Sequence, residues 1–264
     1  MCDKSKLLCN FAQIFKEIVM RKRFIHILWA VFGTGILMVI LAFVAIWFGM
    51  IGYMPDIEDL QNPINRFATQ VYSADGKVLG TWNLNKENRI VIPYKKMSPY
   101  LIKALVATED ERFYEHSGID FRALGRAIVK RGILGQTNAG GGSTITQQVI
   151  KNTYLTQERT FTRKIVEILL APEIEKKYSK ADIMEFYCNT NFYGHQCYGV
   201  EAASLYYFGK HASDLAPEEA AILIGISNSP SAYDPVAHPD ASKEKRNDVL
   251  NSMKEVGYLS PEDY

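Results

Sequence analysis

The sequence predicts a mainly α protein with one membrane-spanning helix and a small N-terminal β-hairpin, and three observations carry that expectation. An uncharged apolar run near the N-terminus is long enough to cross a bilayer, two short alternating segments flank an Asp-Gly turn, and from Ser98 onward apolar residues recur at helical spacing. The 264 residues, 47% hydrophobic and 22% charged, suit one fair-sized globular domain plus a segment more apolar than usual. A formal net charge of +1, with no long basic stripe interleaved with aromatics, gives no reason to expect nucleic acid as a partner.

From Phe24 to Ile51 the chain carries no Asp, Glu, Lys or Arg, and His26 is its only strongly polar side chain. That run exceeds the roughly 20 residues needed to cross a bilayer core. Trp29 and Trp47 sit near its ends, where amphipathic rings favour the headgroup level. Arg21, Lys22 and Arg23 crowd its N-terminal flank and Asp56, Glu58 and Asp59 follow it, so the positive-inside rule puts the N-terminus in the cytoplasm and everything after about residue 55 on the outer face. A cleaved signal peptide is the competing reading, but its apolar region is about 7–15 residues and needs a small-residue cleavage site. The expected layout is a basic cytoplasmic tail over 1–23, a transmembrane helix over 24–51, a linker and hairpin jaw over 52–97 and a catalytic domain over 98–264.

Thr69-Gln-Val-Tyr72 and Val78-Leu-Gly-Thr-Trp82, separated by Ser73-Ala-Asp-Gly76, form the expected hairpin, with a third extended piece at Arg89 to Ile92. Ser98 is a good N-cap and Pro99 fits the first helical position of a helix whose apolar face is Leu101, Ile102, Leu105 and Val106. Further helices are expected at 121–130, 144–152, 161–177, 180–189, 199–207, 217–226 and 242–256. Between the first two of these, the stretch 131–142 is rich in glycine and small polar residues and predicts a mobile cover over a cleft. Cys188 and Cys197 lie on the outer side. They form either a disulfide or, the preferred reading, two buried apolar thiols, since a Leu would serve equally well at Cys188.

Three segments carry chemistry. In Ala107-Thr-Glu-Asp-Glu-Arg-Phe-Tyr-Glu-His-Ser-Gly118, continuing the apolar face by one turn leads to Glu109 and Asp110. A carboxylate on an apolar face loses hydration and takes up a proton more readily, which is what a general base needs. The alternative is an ion pair of Glu109 or Asp110 with Arg112 or Arg126. In Gly141-Gly-Ser-Thr-Ile-Thr-Gln-Gln-Val-Ile-Lys151, Ser143 can cap a helix that displays Thr144, Gln147, Gln148 and Lys151 at spacings of three and four, a face suited to a sugar or a phosphate. A nucleotide-binding phosphate loop is rejected because its Gly-Lys-Ser/Thr ending is absent. In Arg159-Thr-Phe-Thr-Arg-Lys-Ile-Val-Glu167, cations stand one turn from an acid, either as a pyrophosphate site or as an ordinary surface pair of Lys164 and Glu167.

These segments, with Ala171, Glu175 and Ile183-Met-Glu-Phe-Tyr-Cys-Asn189, resemble in order the signature motifs of the family 51 glycosyltransferases, the peptidoglycan transglycosylases. The resemblance covers about Val71 to Tyr264. It implies a lysozyme-like, two-lobed helical fold and an enzyme that polymerises lipid II into β-1,4 glycan strands with loss of undecaprenyl pyrophosphate. Glu109 would be the base and Glu167 would orient or polarise the partner sugar. Lys151, Arg159, Arg163 and Lys164 would neutralise the pyrophosphate, and Asp110, Phe113, His116, Thr144, Gln147 and Gln148 would shape the site. Implied partners are lipid II, the growing lipid-linked glycan, the cytoplasmic membrane and other wall-building proteins. No cofactor is required by the sequence, although related enzymes are helped by Mg2+ or Mn2+ at the pyrophosphate.

Two departures stand out, Pro172 inside the third motif's helix, where a kink is expected, and Cys188 in place of the usual Leu. The ending Val249 to Tyr264 and the hairpin look more like the bifunctional class A penicillin-binding proteins, in which a transpeptidase domain follows. Ser242-Lys-Glu-Lys245 fits Ser-x-x-Lys formally but reads as a solvated helix face. The alternatives to a transferase are a wall glycoside hydrolase, which needs no pyrophosphate site, and an inactive membrane-tethered scaffold.

Overall fold

The computed structural model describes residues 4–51, 69–72, 78–82, 88–127, 129–130, 135, 141–155 and 160–264. The chain divides into two compact units, Met1–Met54 and Pro55–Tyr264. The first holds α1 (Lys4–Trp47), whose stretch Arg23–Trp47 is long and apolar enough to cross a membrane. The helix stops four residues short of the apolar run's end. Gly49, at φ +66°, closes it: Gly49 N–H donates to Ile46 O and Met50 N–H to Ala45 O, the paired bonds of a left-handed glycine stop.

The second unit is mainly helical. The expected hairpin is present as β1 (Thr69–Tyr72) antiparallel to β2 (Val78–Trp82), with Thr69 opposite Trp82 and a register irregularity at Val71/Tyr72. Its Ser73–Gly76 turn lies outside the described residues. The third extended piece, β3 (Asn88–Arg89), is shorter than expected and pairs in parallel with β4 (Cys197–Tyr198). The segment following β3 is tied to α6 (Lys180–Thr190): Ile92 exchanges two hydrogen bonds with the Asn189 amide, and Tyr94 N–H donates to Glu185.

The core is built on α2 (Pro99–Glu109), α8 (Pro217–Asn228) and α9 (Pro239–Glu255), which pack on one another. Ser98 caps α2 through the Tyr100 N–H, as its position before Pro99 predicts, and its hydroxyl also donates to Leu215 O. Leu101, Leu105, Leu223, Ile224 and Ile226 are fully buried, each contributing about 1.5–3 kcal/mol of transfer free energy. A second group joins α4 (Ile145–Tyr154) to α5 (Phe161–Lys177) and to α6. Two further helices are α3 (Phe121–Ala127), with residues 129–130 in π-helical conformation beyond it, and α7 (Val200–Phe208). The expected cover at 131–142 falls largely outside the described residues.

Pro172 does not end α5, which runs unbroken from Phe161 to Lys177. Gly118, at φ +90°, lies directly against it, so that a Cβ there would stand 2.5 Å from the Ala171 carbonyl carbon and 2.8 Å from the Pro172 nitrogen. The helix backbone at this point faces another backbone, which no side chain could approach so closely. Cys188 and Cys197 are free and buried, not bridged. Burial pushes the Cys188 thiol up to about 12 and the Cys197 thiol up to about 11, so both behave as small apolar groups.

Gly118→Ala combines a left-handed φ with that backbone collision. It is expected to destabilise the domain by about 3 kcal/mol or more. The measurement is the heat-unfolding midpoint of the detergent-solubilised chain, expected to fall by about 6–12 °C.

Candidate active site

Glu109 is the last residue of α2, and Asp110 follows it as the C-cap. Asp110 is buried and accepts from Ile145 N–H, the first amide of α4, at 3.0 Å, while His116 Nε2 lies 3.0 Å from both of its oxygens. A carboxylate at a helix N-terminus is favoured by the helix dipole and by the free amides there. Asp110 therefore joins the end of α2 to the start of α4. Phe113 is fully buried under the ammonium of Lys180, 4.2 Å from the ring centroid, and Lys180 also holds His116 O and Glu175. Phe113 and His116 thus support the loop between Asp110 and Gly118 from behind and do not line the cleft.

The N-cap of α4 is Thr144, not Ser143. Thr144 Oγ1 accepts from Gln147 N–H and Gln147 Oε1 from Thr144 N–H, a capping box that requires Thr and Gln three apart. Counting three on from Ser143 gives Thr146, whose hydroxyl instead donates to Glu175. Thr144 Oγ1 also donates to Gly118 O. The expected polar face of α4 is therefore divided: Gln147 is buried in the cap, Thr144 reaches the cleft wall, and Gln148 and Lys151 line the cleft.

This cleft has a volume of about 530 Å³ and is walled by the end of α2, the start of α4, one face of α5 and the last turn of α8. Glu109 sits in it half-buried, held by two amides: Gln148 Nε2 donates to Oε2 and Asn228 Nδ2 to Oε1, each at 2.6 Å. The surroundings of Glu109 are polar, contrary to the apolar face expected, because the apolar stripe of α2 ends one turn earlier. The alternative ion pairing is not found either. Arg112 instead makes a two-pronged contact with Asp120. Burial opposes ionisation of Asp120, but the Ala123 N–H, Arg112 and the Arg122 N–H outweigh it and hold the carboxyl below its usual range. Behind Gln148, burial and then the charge of Glu109 push the Tyr187 phenol far above its ordinary value, so it stays protonated and donates to Gln148 Oε1.

On the facing wall, Glu167 is only 3% exposed. Lys164 Nζ donates to it at 2.7 Å and also reaches Ser143 and Gln147, while Arg163 Nε lies 3.1 Å from its other oxygen. This is no ordinary surface pair, since the acid is buried under both cations. Lys151 makes no hydrogen bond or ion pair among the described residues. Burial lowers its ammonium below the usual lysine range; Glu167 and Glu109 oppose the shift, and Arg163 and Lys164 reinforce it. Such a cluster concentrates positive charge on one wall of the cleft. Arg159 lies outside the described residues.

Sequence reasoning missed Asn228 and Lys245 as lining residues. The signal for Asn228 was a polar side chain ending an otherwise apolar helix. Lys245 stands on the segment read as solvated, yet its side chain lies against Gly225 and the cleft, and Ser242 of the same segment is buried. Among the described residues no three His, Cys, Asp or Glu side chains are placed to hold a metal ion.

Residues 75–254 match the family described as transglycosylase. The chain is 39% identical over 231 residues to penicillin-binding protein 1F of Bacillus subtilis, covering 85% of this chain and 31% of that protein. It is 44% identical over 211 residues to penicillin-binding protein 1A of Aquifex aeolicus, covering 80% and 29%. The chain thus spans about 30% of the length of these curated relatives. Among solved structures it is similar to penicillin-binding protein 1A from Haemophilus influenzae at 25% identity and a TM-score of 0.41, covering 75% of this chain and 20% of that one.

A lysine whose folded-state pKa is lowered costs stability while it is charged in both states, and that cost vanishes above the ordinary lysine value. Lys151→Met is therefore expected to raise the unfolding midpoint by a few degrees at pH 7, with the gain fading as pH rises through the alkaline range toward 10.5. Parallel thermal melts of wild type and variant from pH 7 to 11 check this.

Proposed function

The chain belongs to the transglycosylase family, and on that premise we propose that it is a peptidoglycan glycosyltransferase that polymerises lipid II into β-1,4 glycan strands and releases undecaprenyl pyrophosphate. In this reading Glu109 takes the proton from the acceptor sugar's 4-hydroxyl, and the oxygen attacks the anomeric carbon of the lipid-linked donor from the face opposite the leaving group. The new C–O bond forms as the anomeric carbon–phosphate oxygen bond breaks, with inversion, and the electron pair departs on the pyrophosphate. The proton remains on Glu109 until solvent removes it.

The observation that carries the reading is Lys151, a half-buried ammonium with no hydrogen bond or ion pair among the described residues, in the same cleft as Glu109 and beside Arg163 and Lys164. A leaving pyrophosphate needs fixed positive charge where its own charge grows, and three cations on two packed helices provide it without reorganisation. Glu167, buried between Arg163 and Lys164, is read as the acid that holds those two in place, more than as a group that touches sugar. Cleavage of a glycan by water would leave this cation cluster without a task, which is why hydrolysis is the weaker reading.

Arg23–Trp47 is assigned as the anchor, with the basic N-terminus in the cytoplasm and the cleft's unit on the outer face, where lipid-linked precursor and growing glycan are available. The relatives' names support reading the chain as the anchor and transferase part of a bifunctional class A penicillin-binding protein, working beside other wall-building proteins.

Purified lipid-linked disaccharide-peptide, incubated with the detergent-solubilised chain and resolved by size, is expected to yield long glycan strands. Glu109→Gln is expected to slow this by about 10²–10⁴-fold. Unchanged precursor with wild type would point to a scaffold, and shortening of added glycan to a hydrolase.

A further inference from the structure

We propose that Asn228 is a positioning residue for Glu109, holding one carboxylate oxygen while Gln148 holds the other; the proposal rests on the reading of Glu109 as the base. Glu109 closes α2, so its carboxylate stands at the negative end of a helix dipole, where an acid is disfavoured. Neutral amide N–H groups offset this and steer the side chain without neutralising it, as a lysine or arginine at the same place would.

Each amide is keyed by a second contact. Asn228 Nδ2 donates one hydrogen to Glu109 Oε1 at 2.6 Å and the other to Ile224 O at 3.1 Å, which fixes the amide plane and turns its nitrogen toward the acid. Gln148 donates to Oε2 at 2.6 Å, and its Oε1 faces the Tyr187 hydroxyl at 3.4 Å, an orientation that directs its nitrogen toward the acid. A carboxylate has about four lone-pair sites. With one on each oxygen engaged, the remaining pair points in set directions, as a base that must meet a hydroxyl within hydrogen-bond reach requires.

Asn228 is the exposed last residue of α8, a position where an amide is ordinary, but its contact reaches across to another helix. Ala220, Ala221, Leu223, Ile224 and Ile226 make α8 an apolar core helix, and α8 packs on α2, the helix that carries the base. The two helices meet at the cleft through this contact, across 119 residues of chain. A mere helix-end cap would be satisfied by the bond to Ile224 O and would not need the base.

Three variants of the full chain are compared in the polymerisation assay, with Glu109→Gln as the inactive reference. Asn228→Ala removes the donor and is expected to lower kcat about 10-fold with KM within about 2-fold. Asn228→Asp keeps the size but sets a like charge against Glu109, and is expected to lower kcat about 100-fold. Asn228→His, which offers a ring N–H at similar reach, is expected to return kcat to within about 3-fold of wild type. All three melt within a few degrees of wild type if the role is positional. Wild-type kcat in the Ala and Asp variants, a loss confined to KM, or a His variant no better than Ala overturns the proposal while the base stands. A Glu109→Gln variant as active as wild type overturns the reading of the base, and this proposal falls with it.

Discussion

The buried carboxylate of Asp110 is the joint on which the cleft depends. It accepts from the first amide of α4 and meets His116, and by doing so it butts the C-terminal end of α2 against the N-terminal end of α4. Glu109 precedes it by one residue and Gln148 lies one turn into α4, so the acid and its amide partner are brought together by the same contact. An acid in place of a neutral side chain suits that position because α4 presents unpaired amides and the positive end of its dipole there. Gly118 completes the joint. Its carbonyl accepts from the hydroxyl of the cap Thr144 and its bare Cα lies against the backbone of α5, so the loop it belongs to meets both α4 and α5.

The charges follow from that arrangement. α4 and α5 pack together, which puts Lys151 of one near Arg163 and Lys164 of the other, and three cations this close repel. Glu167 offsets two of them from beneath, at the cost of its own hydration, and Lys151 is left as the least satisfied. An interior that tolerates such a cluster has accepted a stability cost at the place where a charged ligand would remove it. On the opposite wall the arrangement is reversed: among the described residues Glu109 is held by two neutral amide donors.

Much of this was legible from local pattern. Ser98-Pro99 marks a helix start by capping chemistry alone, and the 161–177 helix was bounded correctly because its cap, its periodicity and its last basic turn all agree. The ordered acids, amides and cations of the three chemistry-bearing segments pointed to the transferase reading, and most of them do share one cleft. Capping was less legible at Ser143 and Thr144, where two adjacent hydroxyls compete and only the partner three residues on decides. Pro172 was legible as a breaker but not as tolerated, since what it packs against, Gly118, lies far away in sequence.

The sequence by itself determined the elements: an apolar helix long enough for a bilayer, a hairpin, and a helical body whose caps and periodicities are set by neighbours within four residues. Which charges meet was decided only by the tertiary structure. Arg112 turns to Asp120 and leaves Glu109 to two amides, one of them from Asn228 at the end of an apolar core helix, and Lys245 leaves a solvated pattern to face the cleft. The reason is physical. A cap or an amphipathic stripe is a short-range property of one segment, whereas an ion pair or a clamp joins segments whose separation along the chain carries no signal until the core between them has packed.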